Sequence, residues 1–289
     1  MISINTNYGG IFAAKASSQA TLRVDQAMER LSTGKRINHA RDDSAGQAIA
    51  TRLAAEIEGL AMASRNVADG QSLVDTAESA LVETHALLLR MREVSVQAAN
   101  GTLSVADNTA LNAEFQQLVA EIDRISDNTS WAGTKLLNGD STGAASTSAT
   151  FAFQAGVNNT TADTISVDVS NADAATLGIF DDSTTPGTND INLDDATNAG
   201  LAIAAVDAAI AAVSTERGKL GAVSNRMSST MANLDQITVN LTASKGRIED
   251  ADFAVETGNL AKGQILQQAA TAMLAQANAS KQQVLTLIR

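Results

Sequence analysis

From Ser44 to about Ala99 the chain has no proline and sets Leu53, Leu60, Val67, Val74, Leu81 and Leu88 at strict intervals of seven. Seven residues are close to two helical turns, so this spacing puts one apolar line along one side of a helix and demands a partner for its whole length. Three residues after most of these stand Ala63, Gly70, Ala77 and Met91. A seam that alternates branched with mostly small side chains lets the partner helix come close. At ~1.5 Å per residue the element is on the order of 80 Å long, too long for an ordinary globular helix.

The rest of the chain supplies partners. Ser104 and Asp107 signal a second helix start, followed by Leu111, Phe115, Leu118, Ile122 and Ile125 at helical spacing. From about Asp195, Ile203, Val206, Ile210, Val213, Arg217, Leu220, Ser224, Met227, Met231, Leu234, Thr238 and Leu241 step by three and four without a break. After RIEDAD at 247–252, Leu266, Ala270, Met273, Ala277, Val284 and Ile288 continue an apolar stripe, and Ile4, Tyr8, Ile11 and Leu22 form a weaker one at the other end. With aromatics at 3%, one proline and no cysteine, large core-filling side chains are scarce and helices packed on one another are favoured over sheet folds.

Residues 140–195 differ, being rich in Ser, Thr, Asn, Gly and Asp and holding the single proline, Pro186. FAFQ at 151–154 and TISVDV at 164–169 alternate apolar with polar around Asn158–Asn159, which predicts one β-hairpin in a solvated acidic surround. The fold class expected is therefore mainly α: a long antiparallel helical bundle or coiled-coil rod with a small β-hairpin region and paired N- and C-termini. Terminal stripes this alanine-rich gain little alone, so they need partners, which points to other copies of the chain.

Charge and residue inventory exclude several function classes. The net charge of -12 argues against a general nucleic-acid binder. Between Lys135 and Arg217 there is no Lys or Arg, while ten aspartates and Glu216 fall there, so the acidity is concentrated in the middle. The nearly neutral remainder suits surfaces that meet copies of themselves. Without cysteine, and with only His39 and His85, no thiolate or imidazole metal centre is expected, and no cofactor. The Asp181–Asp182 and Asp194–Asp195 pairs lack calcium-loop spacing. MISINTNYGGIFAAK has no basic leader before an apolar run, so no cleaved signal is expected, and LAIAAVDAAIAAV at 201–213 is too short to span a bilayer and contains Asp207.

The segment ERLSTGKRINHARDDSAGQAIATRL at 29–53 crowds basic side chains, glycines and aspartates. It reads as a junction between helices. Gly34 stands where a left-handed C-terminal cap belongs, and Ser44 with Gln47 has capping-box spacing. Asp42 and Asp43 suit a helix start, and Arg30, Lys35 and Arg36 a helix end. A phosphate loop is excluded for want of glycines and a following Lys-Ser or Lys-Thr, and His39, Asp42 and Ser44 lie too close in sequence to read as a catalytic triad. No enzyme activity is expected.

RLSTGKRINHARDDSAGQAIA resembles the most characteristic segment of the bacterial flagellins. So do NVADGQSLVDTAESAL, LRMREVSVQAANGT at 89–102, EIDRISDNTSWAGTKLLNG, RGKLGAVSNRMSSTMANL, LTASKGRIEDADFA and QILQQAATAMLAQANAS. The resemblance covers roughly 1–139 and 200–289, with a short middle that leaves no room for large outer domains. It implies a structural subunit that polymerises into an extracellular flagellar filament for swimming, exported unfolded through the flagellar type III channel. It implies termini disordered in the monomer that form an inner coiled-coil layer from 1–43 and 246–289. It also implies a helical shell from 44–139 and 196–245, and an outward region at 140–195. Self-assembly is expected to involve Ile4, Tyr8, Ile11, Leu22, Leu53, Leu60, Val67, Val74, Leu81, Leu88, Met227, Met231, Leu234, Leu266, Met273 and Ile288.

The same resemblance implies as partners an export chaperone, the filament cap, hook-filament junction proteins and host flagellin-sensing receptors. Arg90, Met91, Arg92, Glu93 and Glu114 fall where the animal Toll-like receptor binds family ligands, residues 29–50 where plant receptors do, and VLTLIR where a cytosolic sensor reads the terminus. Leu89 and Val94 depart from residues common in relatives. The alternatives are a hook-filament junction protein of the same export family and a cytoplasmic coiled-coil signalling module.

Overall fold

The computed structural model describes residues 6–138, 148–180 and 191–287. Ile4, Ile288, Pro186 and the Asp181–Asp182 pair lie outside the described residues, as do the side chains of the terminal VLTLIR segment. Five helices are described: α1 Tyr8–Thr33, α2 Ser44–Ala98, α3 Val105–Asn128, α4 Ala196–Glu249 and α5 Phe253–Leu287. Between α3 and α4 lie β1 Ser130–Trp131, β2 Thr134–Lys135, β3 Ser148–Gln154 and β4 Thr164–Ser170. Two compact units emerge, Met1–Ile57 with Val239–Arg289, and Glu58–Thr238, so α2 and α4 each contribute to both.

Short polar side chains set the helix starts. Asn7 accepts from the Gly10 amide at the head of α1, and Ser104 and Asp107, the expected start signals of α3, form a reciprocal box there. Asp195 accepts from the Thr197 and Asn198 amides, both at 2.8 Å, before α4. At α2 the structure differs from the sequence reading. Asp43, not Ser44, is the cap: its Oδ1 accepts from Gly46 N at 2.9 Å and its carbonyl from Gln47 N. A carboxylate at the positive end of a helix outcompetes a neutral hydroxyl one residue later.

In the unit Glu58–Thr238, α2 and α4 run antiparallel, tied by Arg217 to Glu78 at 2.9 Å and Arg92 to Asp207 at 2.6 Å. The heptad line of α2 is its core: Leu60, Val67, Val74, Leu81 and Leu88 are buried, as are Val206, Val213, Leu220, Met227 and Leu234 of α4. Leu53 and Met231 are half-buried. By length and composition α4 could cross a membrane. Its Ala199, Ala202, Val206, Ala209 and Val213 are buried within this unit.

The hairpin forms where alternation predicts it, β3 pairing antiparallel with β4 in the register Phe151 with Val167 and Phe153 with Ile165. Its reversal is a wider loop than Asn158–Asn159 alone, closed by Ala155 N donating to Asp163 O at 2.7 Å. Asn66 of α2 donates to the Gln154 carbonyl at 3.1 Å. At Gly70 any Cβ would come within 3.0 Å of the Phe153 ring and 2.9 Å of Met227 Cε, so a glycine is what lets the strand lie on the helix. A second, two-residue hairpin that the sequence reading missed joins β1 to β2 through Ala132 (φ 48) and Gly133 (φ 85).

The described part of 140–195 has an apolar side that packs inward. Ile165, Val167 and Val169 are buried, and so are Ala172, Ala174, Ile179, Ile191 and Leu193. Polar groups of the helices and the β2 end satisfy this segment's backbone. Ala174 N donates to Asp123 at 2.8 Å, Leu193 N to Asn112 at 3.3 Å and Ala172 N to the Leu137 carbonyl at 2.9 Å. Glu216, 5% exposed, receives Ser170 N, Ser170 Oγ and Lys219 Nζ between 2.9 and 3.0 Å. A carboxylate this buried is tolerated because it is both paired and hydrogen-bonded.

Candidate self-assembly surface

In the terminal unit α1 and α5 lie antiparallel. Asn7 donates to the Ala277 carbonyl at 3.3 Å, Gln267 to Thr21 at 3.0 Å and Arg30 to Glu256 at 3.0 Å. The buried seam of this pair is made of small residues at intervals of seven: Ala13, Ala20 and Ala27 of α1, with Gly263 and Ala270 of α5. A Cβ at Gly263 would sit 2.8 Å from Val24 Cγ2.

Small seams bury little apolar area, and at ~25 cal/mol per Å² they stabilise little. The large apolar side chains of the pair point away from it. Tyr8, Ile11, Phe12 and Leu22 are 60–76% exposed. At about 100° per residue Tyr8, Ile11 and Leu22 share one face turned away from the alanine seam, and Phe12 flanks that seam. On α5, Phe253, Val255, Ile265 and Met273 are also exposed, with Leu266 less so. Phe12, Leu266 and Met273 line a groove of ≈ 440 Å³ together with Gly9, Ala13, Ala270 and Ala277. Sequence reading picked Tyr8, Ile11, Leu22, Leu266 and Met273 but missed Phe12, Phe253, Val255 and Ile265. Three alanines spaced by seven were the available signal that the large residues face outward.

The junction segment closes this unit. Gly34, in the left-handed conformation at φ 72, ends α1 by donating to the Arg30 carbonyl. Residues 34–36 then pair with the RIEDAD segment: Arg36 N donates to Glu249 O at 2.6 Å and Ala251 N to Gly34 O at 2.9 Å. Lys35 Nζ meets Glu249 at 2.6 Å and the Arg36 guanidinium donates to the Ile248 carbonyl at 2.8 Å. The basic residues that the sequence assigns to a helix dipole thus also tie the two ends of the chain together. Gly34 meets no heavy atom within 4 Å of a built Cβ, so a Gly34→Ala change acts through the backbone alone. It should cost about 1 kcal/mol, seen as a lower melting temperature with unchanged helix content.

Asp42 accepts from the His39 amide at 3.0 Å and the Asn38 amide at 3.2 Å. The His39 bond first, then the Asn38 bond and the Arg30 and Arg41 charges, hold its carboxyl below the ordinary value, against burial. A lowered folded value means the stabilisation is present above about pH 4 and is lost as pH falls through the lower folded value. Acid titration should therefore shift the Asn38 and His39 amide resonances together, and Asp42→Asn should remove that step. His39 meets Glu29 at 2.8 Å rather than converging with Asp42 and Ser44 on one centre. Among the described residues no group of three or more His, Asp or Glu side chains could hold a metal ion.

The remaining residues named from sequence fall into two groups. Leu60, Val67, Val74, Leu81, Leu88, Met227 and Leu234 are buried inside the single chain, so their packing is with its own helices. Arg90, Arg92 and Glu93 are exposed and Glu114 is half-buried, Arg90 reaching Glu93 at 3.0 Å and Glu114 at 2.7 Å. Met91 is fully buried, so the folded chain withholds it from any partner.

The family model for the bacterial flagellin N-terminal helical region matches residues 4–142, and that for the C-terminal helical region matches 203–288. Flagellin of Halalkalibacterium halodurans is 46% identical over 264 residues, 91% of each chain. Flagellin of Bacillus subtilis is 41% identical over 302 residues, 99% of each chain. The chain belongs to the bacterial flagellin family. As a flagellin it is a structural subunit of the flagellar filament, the extracellular appendage for swimming. The flagellar filament 33 kDa core protein of Treponema phagedenis is 39% identical over 99% of each chain. Among solved structures, a flagellin from Bacillus cereus is 29% identical, covering 59% of this chain and 88% of that one at a TM-score of 0.47. A structure assigned to a flagellar hook-associated protein of Vibrio parahaemolyticus is 16% identical and covers 72% of this chain and 100% of that one. Its TM-score of 0.58 shows the helical fold alone.

Proposed function

We propose that the outward apolar face of the α1·α5 pair is the surface through which this flagellin joins its neighbours in the filament, and that 1–43 with 246–289 form the inner layer. The observation that carries this reading is the inverted distribution of side chains. Alanine and glycine lie between the two helices, while Tyr8, Ile11, Phe12, Leu22 and Met273 lie outside. Ordering a terminal residue costs about 1–2 kcal/mol, and a seam of methyl groups offsets little of it. Contact with identical faces supplies the missing burial.

In the same reading, residues 44–139 and 196–245 form the surrounding shell, whose buried heptad line keeps each subunit rigid. Residues 140–195 form its outer margin. Export proceeds through the flagellar channel, with an export chaperone, the filament cap and hook-filament junction proteins as partners. The exposed Arg90, Arg92 and Glu93, with the half-buried Glu114, are the residues through which a host Toll-like receptor would contact the subunit; Met91 drops out of that set. A plant receptor reading 29–50 and a cytosolic sensor reading the C-terminus complete the proposed partners. The test of the assembly reading is helical reconstruction of polymer grown from this chain. Density that places Phe12 and Met273 between subunits supports it, and density that leaves them facing solvent contradicts it.

A further inference from the structure

The connection between α2 and α3 contains an asparagine followed by a glycine, Asn100–Gly101, and both residues are exposed. Leu103 N donates to the Asn100 carbonyl at 3.2 Å and Asn100 N to Gln97 O at 3.2 Å, so the turn folds back on itself. Thr102 N lies 3.4 Å from Asn100 Oδ1, which keeps the carboxamide over the following backbone and draws electron density from its Cγ. The Gly101 amide has no acceptor among the described residues, and apart from its two chain neighbours no described atom stands within 4 Å of where a Cβ would be. No backbone hydrogen bond of its own holds that nitrogen back.

We propose that Asn100–Gly101 is a self-modifying site at which the chain deamidates without an enzyme. The Gly101 backbone nitrogen attacks Asn100 Cγ, forming a C–N bond. The carboxamide nitrogen leaves as ammonia, taking the proton lost by the Gly101 amide, and a five-membered succinimide remains. Water then opens the ring. Breaking the new bond gives aspartate at position 100; breaking the original peptide bond gives isoaspartate, with the main chain running through Cβ and Cγ. No oxidant or reductant is needed. The net charge drops by one from -12, and the new carboxylate sits just beyond Ala98, at the end of α2 where the helix dipole disfavours negative charge. Conversion loosens the α2–α3 turn.

The same chain contains an internal contrast. Asp69–Gly70 has the residue types for succinimide formation, but it lies within α2, where the Gly70 amide serves the helix ladder and Gly70 packs under Phe153 and Met227. Holding the full chain at mildly alkaline pH and mapping its peptides by mass spectrometry tests the proposal. The peptide carrying residue 100 should gain ~1 Da and resolve into aspartate and isoaspartate forms before those carrying Asn108 or Asn128. Gly101→Ala should slow this several-fold, and Asp69–Gly70 should isomerise only after denaturant unfolds α2. Conversion at residue 100 no faster than at Asn108, or unaffected by Gly101→Ala, would overturn the proposal. So would isomerisation at Asp69 in the folded chain as fast as deamidation at Asn100.

Discussion

A chain carrying Phe12→Asp and Met273→Asp together should remain folded as a monomer and fail to polymerise at concentrations that suffice for the parent. Phe12 is 76% and Met273 64% exposed, so the monomer loses almost nothing, within about 0.5 kcal/mol for each. In a polymer that buries both, each lost apolar side chain removes about 1.5–3 kcal/mol, and an unpaired carboxylate adds a desolvation cost. At tenfold per ~1.4 kcal/mol, the critical concentration should rise at least about a hundredfold. Sedimentation of polymer after seeding reads the effect, with circular dichroism of the monomer as the control. Growth at the parental concentration would show that this groove is not between subunits.

The opposite pattern is expected for Phe115→Ala. Phe115 is fully buried in the unit Glu58–Thr238, on the face of α3 that also buries Val119 and Ile122. Removing a ring from such a site costs about 3–5 kcal/mol, which at ~2–4 °C per kcal/mol for a unit of this size lowers its melting temperature by about 10 °C. Phe115 is not part of the proposed assembly surface on the terminal helices, so polymer grown in the cold should still form and then melt early. A calorimetric transition that stays within a degree or two of the parent's would mean that the α3 core is not what holds this unit together. The two variants therefore separate the subunit's own core from the surface between subunits.

Most of this architecture was legible in the sequence because a heptad line states both the helix and its need for a partner. Leu60, Val67, Val74, Leu81 and Leu88 predicted α2 and its buried side, and alternation at Ile165, Val167 and Val169 predicted β4. Less legible were contacts that depend on where distant segments meet. Arg30, Lys35 and Arg36 look locally like helix-end charges, and nothing near them in sequence names Glu256, Glu249 or the Ile248 carbonyl as their partners. Asp43 and Ser44 are both competent caps, and only the backbone path selects the aspartate. The burial of Ile179, Ile191 and Leu193 was hidden by surrounding Asp, Ser and Thr, since single inward residues leave no period to detect. On the terminal helices the large residues drew attention to the outer face, while the alanines that form the inner seam passed as helix filler.

The central claim is that α1 and α5, joined by a seam too small to hold them firmly, become fully ordered through identical neighbours. Amide hydrogen exchange on monomer and on polymer of the same preparation tests it most directly. In the monomer, residues 8–33 and 253–287 should exchange many-fold faster than 58–98, and polymerisation should bring the terminal helices to the slow rates of α2. Equal, strong protection of the terminal helices in both states would contradict the claim.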